Sequence, residues 1–196
     1  MGTRHFIGAI CDGEFKIAQY GQWDGYLDGQ GIDVLRFIQT ADMSQFRERL
    51  RTTTFLSQDE IDTINTDMEQ NHKGRSLSNV YPHVSRDAGS DILTMVYESD
   101  SPMKLLNRLG FVADSVWCEY GYVLDTDNEV LEVYTGFNQT PLDESERFFD
   151  PPAKDDGLSE EYFPIRLAFK VPFSECGEDF TPEQRNSAGE EIEEDA

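Results

Sequence analysis

Three side chains that could together form an activated-nucleophile site occur near the start of the chain: Thr3, His5 and Asp24. In such a site an imidazole takes a proton from a hydroxyl, and a carboxylate orients the imidazole. This chemistry would suit hydrolysis of an amide, so these three residues are the candidate catalytic groups. Ordinary polar pairing between strands is the more common origin of such a pattern.

A hairpin would have to position these groups. Asp12-Gly13 separates two apolar runs and predicts a tight turn, because both residues tolerate positive φ. With Cys11 and Glu14 flanking the turn, His5 faces Tyr20 and Thr3 faces Gln22. The sequence therefore predicts Thr3, His5, Tyr20 and Gln22 on one face at the open end of the hairpin, with Asp24 just beyond.

Further candidates for ligand binding lie near the predicted start of a helix over residues 88–97. Arg86 could meet an anionic ligand at that helix start, where free amides favour negative charge. Alternatively, Ser85 caps the helix and Asp87 complements its dipole. The expected pocket is enclosed by the hairpin mouth, the connector 25–31 and this helix start.

Two tryptophans and one glutamate complete the set of binding candidates. Trp23 and Trp117 could stack on a planar ligand, although large aromatic residues beside strands belong more often to a core. Glu119 occurs in an apolar strand pattern, where a buried carboxylate would need a partner such as Arg4 or Arg86. The predicted binding residues are Tyr20, Gln22, Trp23, Ser85, Arg86, Asp87, Trp117 and Glu119.

Neither a metal nor a cofactor is expected. His5, His72 and His83 lack the spacing of a metal site. The glycines of the connector 25–31 match no phosphate-binding motif, and the acidic residues around them disfavour phosphate.

The composition excludes several classes of partner. The 196 residues include 39 acidic and 16 basic residues, giving a net charge of −23. Such a charge repels nucleic acid and anionic membranes, so a small molecule or a basic protein is the expected partner. Three cysteines form no disulfide pattern, and no stretch approaches the roughly 18 apolar residues of a membrane span. We therefore expect a reducing, cytoplasmic location.

Periodicity predicts an α+β fold in one domain over residues 1–173, with an acidic loop at about 138–163 and a disordered acidic tail over 174–196. Two hairpins and a C-terminal strand give an antiparallel sheet of about five strands with helices packed on it. A capping box, Ser57 to Glu60, opens one helix. The predicted helices cover 32–38, 43–51, 58–70, 88–97 and 103–109, and the later strands cover 116–124, 129–134 and 165–173.

Several motifs together resemble a family of small uncharacterised proteins found in fungi and in phages or bacteria. They are MGTRH over 1–5, YGQWDGY over 20–26, Gly29-Gln30-Gly31, the segment 85–89 and Trp117-Cys118-Glu119. The resemblance covers most of residues 1–135 and implies no specific activity. A remote comparison with N-terminal-nucleophile hydrolases implies a layered sandwich that begins on an inner strand. Removal of Met1 would expose Gly2, which has no nucleophile, so Thr3 would need a second cleavage.

Two functions follow from the sequence. The first is a polar pocket at the mouth of the N-terminal hairpin that binds a small ligand, with amide hydrolysis as a further expectation. The second is a non-catalytic acidic interaction or inhibitor protein that engages a basic partner surface.

Overall fold

A five-stranded mixed sheet organises the computed structural model, which describes residues 2–151 and 161–177. The strand order is β2-β1-β5-β6-β7, and β3 and β4 form a separate short pair. The predicted α+β fold with a five-stranded sheet is therefore confirmed. The strands are β1 (His5–Cys11), β2 (Glu14–Gly21), β3 (Thr54–Phe55), β4 (Lys104–Leu105), β5 (Tyr120–Asp125), β6 (Val130–Thr135) and β7 (Arg166–Pro172); the helices are α1 (Ile32–Thr40), α2 (Met43–Thr52), α3 (Gln58–Asn71), α4 (Leu77–Val80) and α5 (Asp91–Glu98).

The first hairpin forms around Asp12 and Gly13, both at positive φ, but its predicted register is wrong beyond the turn. Cys11 pairs with Glu14 as expected, and a β-bulge at Lys16 then shifts every later pair by one residue. His5 consequently pairs with Gly21, and Phe6 with Tyr20. Because a shift of one residue reverses the face of every side chain, His5 and Tyr20 lie on opposite faces of the sheet.

The pairing at the centre of the sheet is parallel: β1 lies beside β5, with His5 opposite Tyr120. The other pairs of the large sheet are antiparallel. The second hairpin turns at Asp125, whose carboxylate accepts hydrogen bonds from the backbone amides of Asp127 and Asn128. The parallel pairing places the starts of β1 and β5 at the same end of the sheet, next to the ends of β2 and β6.

Helices cover one face of the sheet. The apolar faces of α1, α2 and α5 pack on Ile7, Ala9, Ile17, Tyr122 and Leu124. The spacing of apolar residues along each helix explains this contact, because positions three and four apart share one face. The predicted helices over 32–38, 43–51 and 58–70 are thus present, the last beginning at the capping box of Ser57 and Glu60.

The opposite face is covered by a short 3₁₀ helix, Leu109–Ala113, and by irregular segments. Phe148 packs against Phe6, Phe15 and Tyr134 and is almost completely buried. The neighbouring Arg147 anchors the same segment through its guanidinium.

Arg147 is the centre of a buried charge network. Its Nε lies 2.6 Å from Glu132 Oε2, and its terminal nitrogen lies 2.7 Å from Asp125 Oδ2. Glu132 also accepts hydrogen bonds from Lys170 and the hydroxyl of Tyr134. Burial raises the pKa of Glu132, but these donors outweigh it and hold the pKa below its ordinary value. The segment predicted as an acidic surface loop therefore packs on the sheet over 141–149, while residues 152–160 lie outside the described residues.

Two helix predictions are wrong: one helix is absent and another begins later than expected. The segment predicted as a helix over 103–109 is extended at β4, because it pairs with β3 and then bridges Ala18 through Asn107. The helix predicted over 88–97 begins later, at Asp91, because Gly89 adopts a φ of +50° that no helix accommodates.

The folded part of the chain continues past residue 173. Cys176 is buried, and the amide of Gln39 donates to the carbonyl of Gly177 over 2.6 Å. The rest of the predicted tail, residues 178–196, lies outside the described residues. All three cysteines are free. Within the described residues, no helix has both the length and the apolar character needed to cross a membrane.

Replacing Arg147 with methionine tests the buried network. We expect Arg147→Met to lower the free energy of unfolding by about 3–5 kcal/mol, since it leaves two buried carboxylates without their main counter-charge. Urea denaturation at pH 7 measures this change. Arg36→Met is the matched control, because Arg36 forms an exposed pair with Asp33 and should cost less than about 1 kcal/mol. Equal losses in the two variants would contradict this account of the network.

Candidate functional site

The predicted catalytic groups lie at one end of the sheet, but no hydrogen bond joins the hydroxyl of Thr3 to the imidazole of His5. Thr3 is buried, and its carbonyl accepts a hydrogen bond from the amide of Gly25. His5 is almost completely buried, and neither ring nitrogen has a hydrogen-bond partner among the described residues. Asp24 is exposed and has a φ of +54°. The arrangement therefore provides proximity without an assembled proton-transfer chain.

The imidazole of His5 lies directly over Gly21. A Cβ atom at Gly21 would approach His5 Nε2 to 2.1 Å, so only glycine fits opposite this ring. Burial lowers the pKa of His5 from 6.5 to about 4, because the charged ring would lose its hydration. At neutral pH the ring is therefore uncharged.

Arg4, Trp117 and Glu119 form a compact cluster at this end of the sheet. The guanidinium carbon of Arg4 lies 4.0 Å from the centre of the Trp117 ring. Arg4 Nε lies 3.5 Å from Glu119 Oε1, which also accepts the backbone amide of Arg4 over 3.1 Å. Glu119 therefore pairs with Arg4, one of the two partners that the sequence suggested. Its side chain keeps 20% of its exposure, so it is not the buried carboxylate that the strand pattern predicted.

Trp23, Ser85 and Asp87 form a second cluster next to the first. Trp23 Nε1 donates to Asp87 Oδ1 over 3.0 Å, and the amide of Asp87 donates to Ser85 Oγ over 3.1 Å. Ser85 thus stabilises a turn before Gly89 rather than capping a helix, contrary to the prediction. Arg86, in the same turn, consequently does not stand at a helix start.

Tyr20, Gln22 and Arg86 lie close together at the edge of β2. The hydroxyl of Tyr20 donates to Gln22 Oε1, and the amide of Gln22 donates to the carbonyl of Arg86. Burial raises the pKa of Tyr20, and the charges of Arg86 and Arg4 oppose this effect. The ring of Tyr20 packs edge-on against Phe111, at 4.6 Å between ring centres. Tyr20 and Arg86 therefore face away from His5 and toward a different space.

That space is a cavity of about 780 Å³ beside the edge of β2, within the usual range for small-molecule sites. One wall is apolar, and Asn65, Asn107 and the two arginines Arg86 and Arg108 add polar groups. Among the described residues that line it there is no aspartate or glutamate. The full lining is Gln19, Tyr20, Ile61, Ile64, Asn65, Leu77, Val84, Arg86, Leu106, Asn107, Arg108, Gly110 and Phe111.

The two arginines that line the cavity form no ion pair with the described residues. Neither Arg86 nor Arg108 forms an ion pair with a described residue, whereas most other described arginines do. Gln19 is buried and donates its amide to the carbonyls of Tyr20 and Ser85. Its Oε1 atom has no partner among the described residues. The cavity therefore offers two cationic donors.

Helix α3 forms the apolar wall and is held at both ends. Near its start Glu60 pairs with Lys104, and near its end Asp67 accepts the hydroxyl of Tyr81 over 2.7 Å. Between these anchors Ile61 and Ile64 face the cavity and are only half-buried. Their apolar surface belongs to neither core cluster, so it remains available for contact.

One cluster of described residues has the composition of a metal site. Single ligand atoms of Cys11, Asp12 and Asp127 lie within 4.8 Å of one another. Both carboxylates already bind Arg47, whose terminal nitrogen lies 2.6 Å from Asp127 Oδ1. Burial raises the pKa of the Cys11 thiol, which disfavours the thiolate that a metal needs. The cluster serves to join the two hairpin turns to α2.

The sequence alone did not identify Gln19, Arg108 or the exposed apolar face of α3. Arg108 falls in the segment assigned to a helix, and Gln19 reads as an ordinary strand residue. The available signal was the apolar stripe of α3, since Ile61 and Ile64 lie three residues apart in the helix that the capping box opens. Comparison with family models, curated proteins and solved structures gives no match to this chain. The family resemblance and the layering comparison stay predictions.

The depressed pKa of His5 predicts a pH-dependent stability. Well above pH 6.5 the ring is neutral in both the folded and the unfolded chain, so protonation of His5 does not reduce the free energy of unfolding. As the pH falls from 6.5 toward 4, only the unfolded chain binds the proton, so about 3 kcal/mol of stability is lost. Denaturant titrations of wild type and His5→Asn from pH 7 to pH 4 measure this loss. Parallel curves for the two proteins would refute the assignment, because carboxylate titration is common to both.

Proposed function

We propose that this protein binds a small organic anion in the cavity between α3 and the edge of β2. The observation that carries the proposal is the pairing of Arg86 and Arg108, two arginines without described ion pairs, in one cavity without a described carboxylate. Guanidinium groups recognise carboxylate and phosphate by charge-assisted hydrogen bonds. The proposal retains Tyr20 and Arg86 from the predicted binding set.

The overall charge of −23 does not contradict an anionic ligand. At physiological ionic strength, charges separated by more than about 8 Å are largely screened. The energy of a bound anion is therefore decided by the groups that line the cavity, and these include two cations.

The other lining groups restrict the shape of the ligand. Ile61, Ile64 and Leu77 suit an aliphatic or aromatic body opposite the anionic group. The proposal is limited to binding, because none of the predicted catalytic residues Thr3, His5 and Asp24 lines the cavity.

Isothermal titration calorimetry with 2-naphthoate and 1-naphthyl phosphate tests the proposal, with 2-naphthamide as the neutral control. We expect both anions to bind and the amide to bind at least tenfold more weakly. Each hydrogen bond to a charged group contributes about 1.5–3 kcal/mol, so Arg86→Gln and Arg108→Gln should each weaken binding by about 10- to 100-fold.

Arg75→Gln is the matched control, because it removes the same charge from an exposed arginine that forms no ion pair with a described residue. Its affinity should stay within twofold of wild type. Equal binding of the amide and the anions, or equal weakening in all three variants, would refute the proposed site.

A further inference from the structure

Four exposed aromatic side chains gather at the end of the sheet where β1 and β5 begin. Trp23 follows β2, Trp117 precedes β5 and Phe137 follows β6, while Tyr26 packs beside Tyr120. They retain between 47% and 59% of their exposure and make up four of the five large hydrophobic residues exposed in the described part of the chain. We call Trp23, Tyr26, Trp117 and Phe137 the aromatic end. Clusters of this kind mark interaction surfaces, where tryptophan and tyrosine contribute most binding energy.

The aromatic end already holds one cation. The guanidinium of Arg4 stacks on Trp117 and pairs with Glu119 at the same time. On this surface an indole face and a neighbouring carboxylate thus bind an arginine side chain together, through cation–π attraction and an ion pair.

Trp23 and Asp87 repeat this combination without a described cation. The indole of Trp23 is joined to Asp87 by its Nε1 hydrogen bond, and the carboxylate of Asp24 is exposed next to it in the chain. No described lysine or arginine pairs with Asp87 or stacks on Trp23. The net charge of −23 further favours a basic partner over an acidic one.

We infer that the aromatic end is a docking surface for an extended, arginine- or lysine-rich segment of a partner protein. A basic side chain of that segment stacks on Trp23 and pairs with Asp87 and Asp24, as Arg4 does with Trp117 and Glu119. Neighbouring strands lie about 4.8 Å apart, so the surface from β2 to β6 is about 14 Å wide and accommodates about five extended residues. The surface is separate from the cavity, because none of the aromatic end lines it.

Fluorescence anisotropy with a labelled peptide tests this inference. The probe is a nine-residue peptide of repeating Arg-Gly-Gly, and the control peptide carries neutral citrulline in place of arginine. Both tryptophans of the chain lie on the aromatic end, so their emission reports occupancy independently. We expect the arginine peptide to bind and the citrulline peptide to fail. Trp23→Leu and the pair Asp24→Asn with Asp87→Asn should each weaken binding by about 5- to 30-fold.

A charge-matched variant separates local recognition from the attraction of any polycation. Glu69→Gln with Glu98→Gln removes two exposed charges from α3 and α5 and should leave affinity within twofold of wild type. Unchanged thermal melts exclude unfolding as the cause of weaker binding. Equal weakening by both pairs, no binding at 1 mM peptide, or self-association of the protein that Trp23→Leu abolishes would each overturn the inference, the last because the occupant would be a second copy.

Discussion

The parallel pairing of β1 with β5 is the constraint on which the other features depend. It joins residues more than a hundred positions apart and brings the starts of two strands to the same end of the sheet. Arg4 and Glu119, the residues before these strands, meet only for this reason. Because β2 and β6 run antiparallel to them, their ends emerge at the same place and add Trp23 and Phe137. An antiparallel β1–β5 pair would have placed Trp117 at the opposite end.

Local signals in the sequence predicted the elements whose geometry is decided locally. The Asp12-Gly13 turn and the Ser57 capping box each specify backbone geometry over four residues or fewer, and each is present. The extended segment at β4 was missed because its hydrogen bonds go to β3 and Ala18, which are remote in sequence. The pattern of residues within 101–109 does not reveal these remote partners, so it could not predict the extended conformation.

The candidate site failed to emerge from the sequence for a related reason. A single bulge at Lys16 turned Tyr20 away from His5 and divided the predicted cluster between two faces of the sheet. The four polar residues expected in one pocket therefore occupy different surroundings. Thr3 and His5 are buried, whereas Tyr20 borders a cavity whose other walls come from α3 and residues 106–111. Those walls are fixed by Lys104, Tyr81 and the bridge at Asn107, none of which carries a sequence motif.

The arginines of this acidic chain fall into two groups, those that pair with carboxylates of the fold and those that do not. Where the hairpin turns bring carboxylates together, Arg47, Arg51 and Arg147 neutralise them, so those cations serve the fold. Arg86 and Arg108 have no such partner among the described residues; both are exposed where they line the cavity beside α3, so no ion pair of the described fold uses them. Asp87, the neighbour of Arg86 in the chain, faces the aromatic end through Trp23. One turn thus presents a cation to the cavity and an anion to the adjoining surface, and its position is set by the hydrogen bond between Gln22 and Arg86.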